Sequence, residues 1–281
     1  MSTVKEVATE ASAIINPSLP VAHNMLSKSL LNQSEKLRNL LRRGVDFDQF
    51  ISCCVQATNV LELEKFTDPR TMKSYAVCVQ NCAILGLLPG SALGHAYFVP
   101  YTFYRNSPRE HDVIQLIPGY RGLLELAWEA RFLLNCDPEV VVEGEDVERW
   151  HDKDGPQIWH KIPIPRTPVS KENILGAYCT YRVKGGSSVL GEFVEATDLL
   201  QIAKKSSGKS PWRTNFEAMA KKTAVRRTSK RWRQTRNLSL AVALDEQAEA
   251  GLEQESFVEE VLDTTKEIDL DKLPISEGEK E

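Results

Sequence analysis

The chain has 281 residues, 42% of them hydrophobic and 26% charged, with a formal net charge of −4. That is enough apolar content to bury a core in one or two domains. The sequence contains no run of about 18 apolar residues, and no basic start followed by an apolar stretch within the first twenty, so a membrane span and a secretory signal are both excluded as expectations and a cytoplasmic protein is indicated.

Residues 1–22 are small, polar and without periodicity, which predicts a mobile arm. Leu26, Leu30, Leu37 and Leu41 then recur between polar residues, as a surface helix over 24–43 requires, and Gly44 supplies a stop. A second helix is expected over 46–64. A third begins with Asp68 as N-cap and Pro69 in its first turn, and ends at Leu85 before Gly86. Residues 96–101 and 113–117 read as strands around a polar, basic connection from Tyr104 to His111, which predicts a hairpin with a protruding tip. A helix over 121–131 follows. Strands are expected at 133–143, 147–150, 157–160, 174–183 and 188–194, with Lys184-Gly185-Gly186 as a turn. Helices return at 196–205, 212–233 and 238–255, before an acidic tail with the composition of a disordered segment. Helices lead, antiparallel strands fill the middle and helices close, so the fold class is α+β. The expected division is an arm at 1–22, a core domain at 23–240, and a helical extension with an acidic tail at 241–281.

Charge is distributed unevenly along this plan. Between Lys204 and Arg236, twelve lysines and arginines face one carboxylate, Glu217, whereas fourteen carboxylates from Asp245 onward face three lysines. So few interleaved carboxylates leave little i,i+4 pairing to offset repulsion, and a polyanion is the natural partner. Gly208-Lys209-Ser210 resembles part of a phosphate-binding loop, but Ala203 stands where the first glycine of that motif belongs, so ATP is not expected there.

Other clusters point elsewhere with less force. Glu143, Glu145, Asp146, Glu148, Asp152 and Asp154 could build a metal-dependent nuclease only if they converged on an ion; an acidic turn region is the plainer reading. The six cysteines form no C-x-x-C pair and the five histidines are scattered, which predicts reduced thiols rather than a zinc site. His160 is a candidate phosphate contact, with a structural role as the plainer reading. No nucleophile–base signature is present, and the chain does not read as an enzyme.

Four segments in order resemble the RecT family of phage and prophage single-strand annealing proteins. They are Asn81–Gly90 (NCAILGLLPG), Gly94–Tyr101 (GHAYFVPY), Ile117–Ala127 (IPGYRGLLELA), and Pro211-Trp212 followed by Met219–Arg227 (MAKKTAVRR). The likeness covers roughly residues 25–240. It implies a small antiparallel sheet beside a long basic helix that lines a DNA groove. It also implies ATP-independent binding of single-stranded DNA, annealing of complementary strands, and assembly of copies into rings or filaments. A phage exonuclease and the host single-strand binding protein are the implied partners. No cofactor is required on this reading, which leaves room for Mg2+ in the DNA complex.

Carried onto this sequence, the resemblance and the charge pattern together assign phosphate contacts to Lys209, Arg213, Lys221, Lys222, Arg226 and Arg227. Arg105 and Arg121 complete the groove, Tyr104 or Tyr120 stacks or wedges bases, and Trp212 belongs to the same set. A coating protein that binds single strands without annealing them is the competing reading.

Overall fold

A computed structural model describes residues 21–60, 68–90, 93–129, 131–205, 211–232 and 235–258. The fold is mixed helix and strand with small antiparallel sheets. The described residues fall into two compact units, one running to Ile117 and resuming at Ala243, the other formed by Pro118–Val242.

The first unit opens with helices α1 (Val21–Asn32), α2 (Ser34–Leu40) and α3 (Phe47–Gln56), the last continuing as a 3-10 turn to Val60. The single helix expected over 24–43 is interrupted at Gln33, whose φ of −104° and ψ of 18° leave the helical region. The helix expected over 46–64 ends sooner as an α-helix, and residues 61–64 lie outside the described residues. Leu26, Leu30, Leu37, Phe50, Ile51 and Cys54 bury the apolar sides of this layer.

Helix α4 (Pro69–Leu85) starts and stops as its sequence predicts. The Asp68 carboxylate accepts the Arg70 N–H at 2.8 Å. Gly86 turns left-handed at φ 73°, and the Leu87 and Gly86 N–H groups bond back to Cys82 and Ala83, closing a Schellman stop. The helix is buried on nearly every side.

Strands β1 (Ala96–Phe103) and β2 (His111–Pro118) form the expected hairpin. A two-stranded sheet leaves an unpaired edge, and here side chains cover it. Thr71 Oγ1 donates to the Asp112 carbonyl at 2.9 Å, Ser74 Oγ accepts from the Ile114 N–H at 2.8 Å, and the Cys78 thiol donates to the Ile114 carbonyl at 3.3 Å. Residues 71, 74 and 78 lie on one face of α4, so a single helical stripe serves the edge.

The next rung of that edge is served from the other end of the chain. Beyond Gly251 (φ 70°), residues 252–258 run back over this unit as a strap. Gln254 accepts from the Leu116 N–H at 2.7 Å and donates to the Leu116 carbonyl at 2.8 Å, as a partner strand would. Gln115 donates to the Leu252 carbonyl at 2.6 Å, and Asn81 donates to the Glu255 carbonyl at 3.0 Å while accepting from the Phe257 N–H. The acidic extension, expected to be disordered beyond its helix, is therefore held in place as far as Val258; the rest of it lies outside the described residues. Replacing Gln254 with Ala should cost about 1–3 kcal/mol, because two backbone groups of Leu116 lose their partner. Urea unfolding of the full chain measures it, and an unchanged midpoint would mean that water serves those groups equally well.

The second unit is built on a three-stranded antiparallel sheet in the order β3 (Leu133–Val142), β6 (Ile174–Val183), β7 (Leu190–Glu195). Helix α5 (Tyr120–Trp128) precedes it, hairpin β4 (Asp146–Asp152)–β5 (Gly155–Lys161) interrupts it, and α6 (Ala196–Lys205) follows it. The long helix expected over 212–233 is instead a short α7 (Pro211–Thr214) and a longer α8 (Phe216–Ser229), broken at Asn215, whose φ of −136° and ψ of 52° are not helical. Helix α9 (Arg236–Glu249) crosses the boundary between the units and ends six residues before the expected stop.

Strand alternation sends the two sheet faces to different partners. Ala177, Cys179, Tyr181, Val140 and Val194 are buried on the side where α8 packs, and Tyr181 meets Trp232 edge-on. Tyr178, Phe193 and Gly191 turn the other way, toward β4–β5. A Cβ at Gly191 would stand 2.7 Å from Ile158, so glycine permits the close approach of that hairpin.

Candidate nucleic-acid interface

The predicted DNA-binding residues meet different fates. In the first unit, Tyr104 and Arg105 stand exposed on the β1–β2 tip. Tyr104 adopts φ 52°, a conformation a tyrosine rarely takes outside a tight turn, and its ring lies 5.9 Å from that of His111. The tip is shaped by Asn106 N–H donating to Glu110 at 2.6 Å and by Ser107 N–H donating to the Tyr104 carbonyl. At its base, His111 is hydrogen-bonded to the Arg109 carbonyl, and despite some desolvation the added pull of Glu253 keeps the imidazole above its usual range.

In the second unit, Tyr120 and Arg121 open α5, with the exposed guanidinium 5.9 Å from the Tyr120 ring. Arg213 is exposed on α7, and Lys209 lies outside the described residues. Trp212 is only 2% exposed and packs against Phe216, so its indole is core material with no open face for a base.

Along α8, Lys221 is half-buried between two carboxylates, 3.0 Å from Glu139 and 2.8 Å from Glu217. Desolvation works against its charge, but the hydrogen bonds to Glu217 and Glu139 outweigh it and hold the ammonium above its ordinary pKa. Arg227 reaches Asp198 at 2.7 Å, and Arg231 pairs with Glu192. Lys222 and Arg226 are 5% and 6% exposed. Both are therefore covered in the protomer. The carboxylates that hold Lys221, Arg227 and Arg231 carry no local signal in the sequence, because Glu139, Asp198 and Glu192 come from distant strands and α6.

Lys221 also borders a network that was not legible in the sequence. Arg166 donates to Glu145 at 2.8 Å, to Glu139 at 3.1 Å and to the Val140 carbonyl at 2.6 Å. Glu145 further accepts the Val142 N–H and lies 3.2 Å from His160, whose other ring nitrogen meets the Tyr178 hydroxyl at 3.0 Å. Burial opposes the charges of Glu139 and Glu145, yet the hydrogen bonds they accept keep both carboxyls below the usual range. Burial, with Glu139 and Asp137 nearby, pushes the Tyr178 hydroxyl up. His160 thus has the structural role that was its plainer reading.

The acidic run does not converge. Glu145 points into this network while Glu143, Asp146 and Glu148 are exposed, and Asp152 is occupied by the N–H groups of its own turn. No group of three or more metal-ligating side chains is found among the described residues. The cysteines described are free, with Cys136 and Cys179 3.2 Å apart as buried thiols.

Exposed and carboxylate-held cations on short helices, with a basic aromatic hairpin tip, are the equipment of a protein that grips a polyanion. Comparison with known proteins makes that class definite. The model of the RecT family matches residues 34–260. Protein RecT of Escherichia coli (strain K12) is 30% identical over 222 residues, covering 78% of this chain and 79% of its own. The chain belongs to the RecT family, and is a single-strand DNA-binding, strand-annealing protein of DNA recombination. Among the described residues, no helix is long and apolar enough to cross a membrane.

Proposed function

We propose that the protein anneals complementary DNA strands without ATP, as an assembly of copies in a ring or filament on the DNA. The observation that carries this reading is the concentration of cations from Lys204 to Arg236 in a chain of the RecT family. Annealing breaks no covalent bond. It needs neutralised phosphates and bases whose pairing edges are free, so contacts to the backbone suffice and sequence is not read.

On this reading the phosphates are held by Lys209, Arg213, Lys221, Lys222, Arg226 and Arg227, with Arg105 and Arg121 as further contacts and Tyr104 or Tyr120 stacking bases. Lys221 and Arg227 already grip carboxylates, which occupy the place of a phosphate until DNA arrives. Lys222 and Arg226 engage by exchanging what covers them for phosphate. An exonuclease that exposes single strands and a single-strand binding protein are the partners this activity calls for. Mg2+ would serve the DNA complex as a counter-ion.

Two complementary dye-labelled oligonucleotides, mixed with the protein in buffer without nucleotide, test the proposal. Pairing faster than the spontaneous rate is expected. Binding without acceleration would instead identify a coating protein, and magnesium-dependent shortening of the strands a nuclease.

A further inference from the structure

Hairpin β4–β5 carries an exposed face that the annealing reading does not use. Its inward side packs on the sheet: Ile158 abuts Gly191, Arg149 lies 4.1 Å over the Phe193 ring and reaches Glu195 at 2.6 Å, and His160 meets Tyr178. The register sets Glu148 opposite Trp159 and Trp150 opposite Gln157, so both indoles fall on the outward side, diagonal to each other on adjacent strands. They are 49% and 47% exposed, and the chain leaving β5 adds Ile164 at 98%. Two tryptophans held rigidly in solvent on a short ribbon are unusual as surface and typical of binding hot spots.

The charges around them select the partner. Asp146, Glu148 and Asp152 share the outward side, against Lys161 alone. A phosphate backbone is repelled there, and Lys221, which reaches Glu139 on the Tyr178 side of the sheet, is already paired with two carboxylates. The surface therefore fits a cationic protein segment that can lay aliphatic stems and charged heads across indole rings. This chain carries one that the DNA assignment leaves unused: Lys36 and Arg43 are exposed on and just after α2, beside Arg38, whose guanidinium lies 3.8 Å over the Phe47 ring, with Glu35 as the single carboxylate among them.

We propose that the outward face of β4–β5 receives the cationic α2 region of a second copy of this chain. The two surfaces are unlike, so the contact is head-to-tail and repeats from copy to copy, which generates a ring where the rotation closes and a filament where it does not. The proposal deepens the self-association reading above and rests on it.

The experiment is sedimentation of the full-length protein with and without an oligothymidine long enough for several copies, with circular dichroism to verify folding. Trp150→Ala/Trp159→Ala should shift multimers to protomers, while binding to an oligonucleotide short enough for one protomer stays within about twofold. Asp146→Lys/Glu148→Lys and Lys36→Glu/Arg43→Glu should each abolish assembly, and the chain carrying all four changes should regain it. Wild-type multimers that persist in the tryptophan variant overturn the assignment of this face. Loss in both charge variants without recovery in the combined chain overturns α2 as the occupant. Loss of short-oligonucleotide binding in the tryptophan variant makes the face a DNA site instead. Wild type that sediments as a protomer in all conditions overturns the self-association reading, and this proposal with it.

Discussion

Replacing Arg166 with Ala is expected to destabilise the protein by about 3–5 kcal/mol, the cost of leaving a buried charge without its partner. Glu145 is the group left behind: its side chain is 1% exposed, and Arg166 supplies its charge-assisted contacts at 2.8 and 3.4 Å. The remaining Val142 N–H and His160 contacts do not replace a guanidinium fork. Arg166→Lys should recover little, because one ammonium cannot serve Glu145, Glu139 and the Val140 carbonyl in the same plane. Adding Glu145→Gln to Arg166→Ala removes the stranded charge and should return part of the loss, and urea unfolding of the three variants measures each step.

The same network makes a signed prediction with pH. Glu139 and Glu145 have folded-state pKa values below the ordinary 4.5 of a glutamate. A carboxyl depressed on folding contributes stability that is present above its unfolded pKa and lost as pH falls through the folded one. The wild type should therefore lose stability below about pH 4.5, in the ordinary glutamate range. The gap between wild type and Arg166→Ala should be widest near neutrality and narrow in acid. A gap independent of pH would show that Arg166 acts through packing rather than charge.

The parts of this fold that were legible in the sequence are those governed by local chemistry. Asp68, Pro69 and Gly86 mark the ends of α4 because capping needs only neighbouring residues. The β1–β2 hairpin follows from two apolar, aromatic and β-branched runs around a polar connection, and the β6–β7 turn from Lys184-Gly185-Gly186. The failures have a common cause, which is that tertiary partners decide them. Periodicity runs straight through Gln33 and Asn215, and neither is a residue that must break a helix. The Gln254 strap is a side-chain amide imitating a strand, which leaves no local pattern. The buried network around Arg166 joins residues from 139 to 178 whose spacing carries no signal. For the proposed DNA-binding set, charge density marked the region. It did not distinguish exposed Arg213 from carboxylate-held Lys221 or covered Lys222, since that distinction depends on Glu139 and on packing across the sheet.

That distinction has a measurable consequence in the salt dependence of single-strand binding. Each phosphate neutralised contributes about 0.7 to the slope of log K against log salt on single strands. Arg213→Ala, at an exposed cation, should lower the slope by ~0.7. Lys222→Ala/Arg226→Ala should lower it by ~1.4, which corresponds to roughly 25-fold weaker binding at 0.1 M salt relative to a 1 M reference. The covered pair must first give up what surrounds it, so its affinity loss should fall short of that figure even while its slope change reaches it; slope counts the contacts, whereas affinity also carries the exchange. Fluorescence anisotropy of a labelled oligothymidine across a salt series reads both quantities. A slope unchanged in Lys222→Ala/Arg226→Ala, with lowered thermal stability, would assign these two cations to holding α8 in place. The phosphate contacts would then fall to the other assigned cations, Lys209, Arg213, Lys221, Arg227, Arg105 and Arg121.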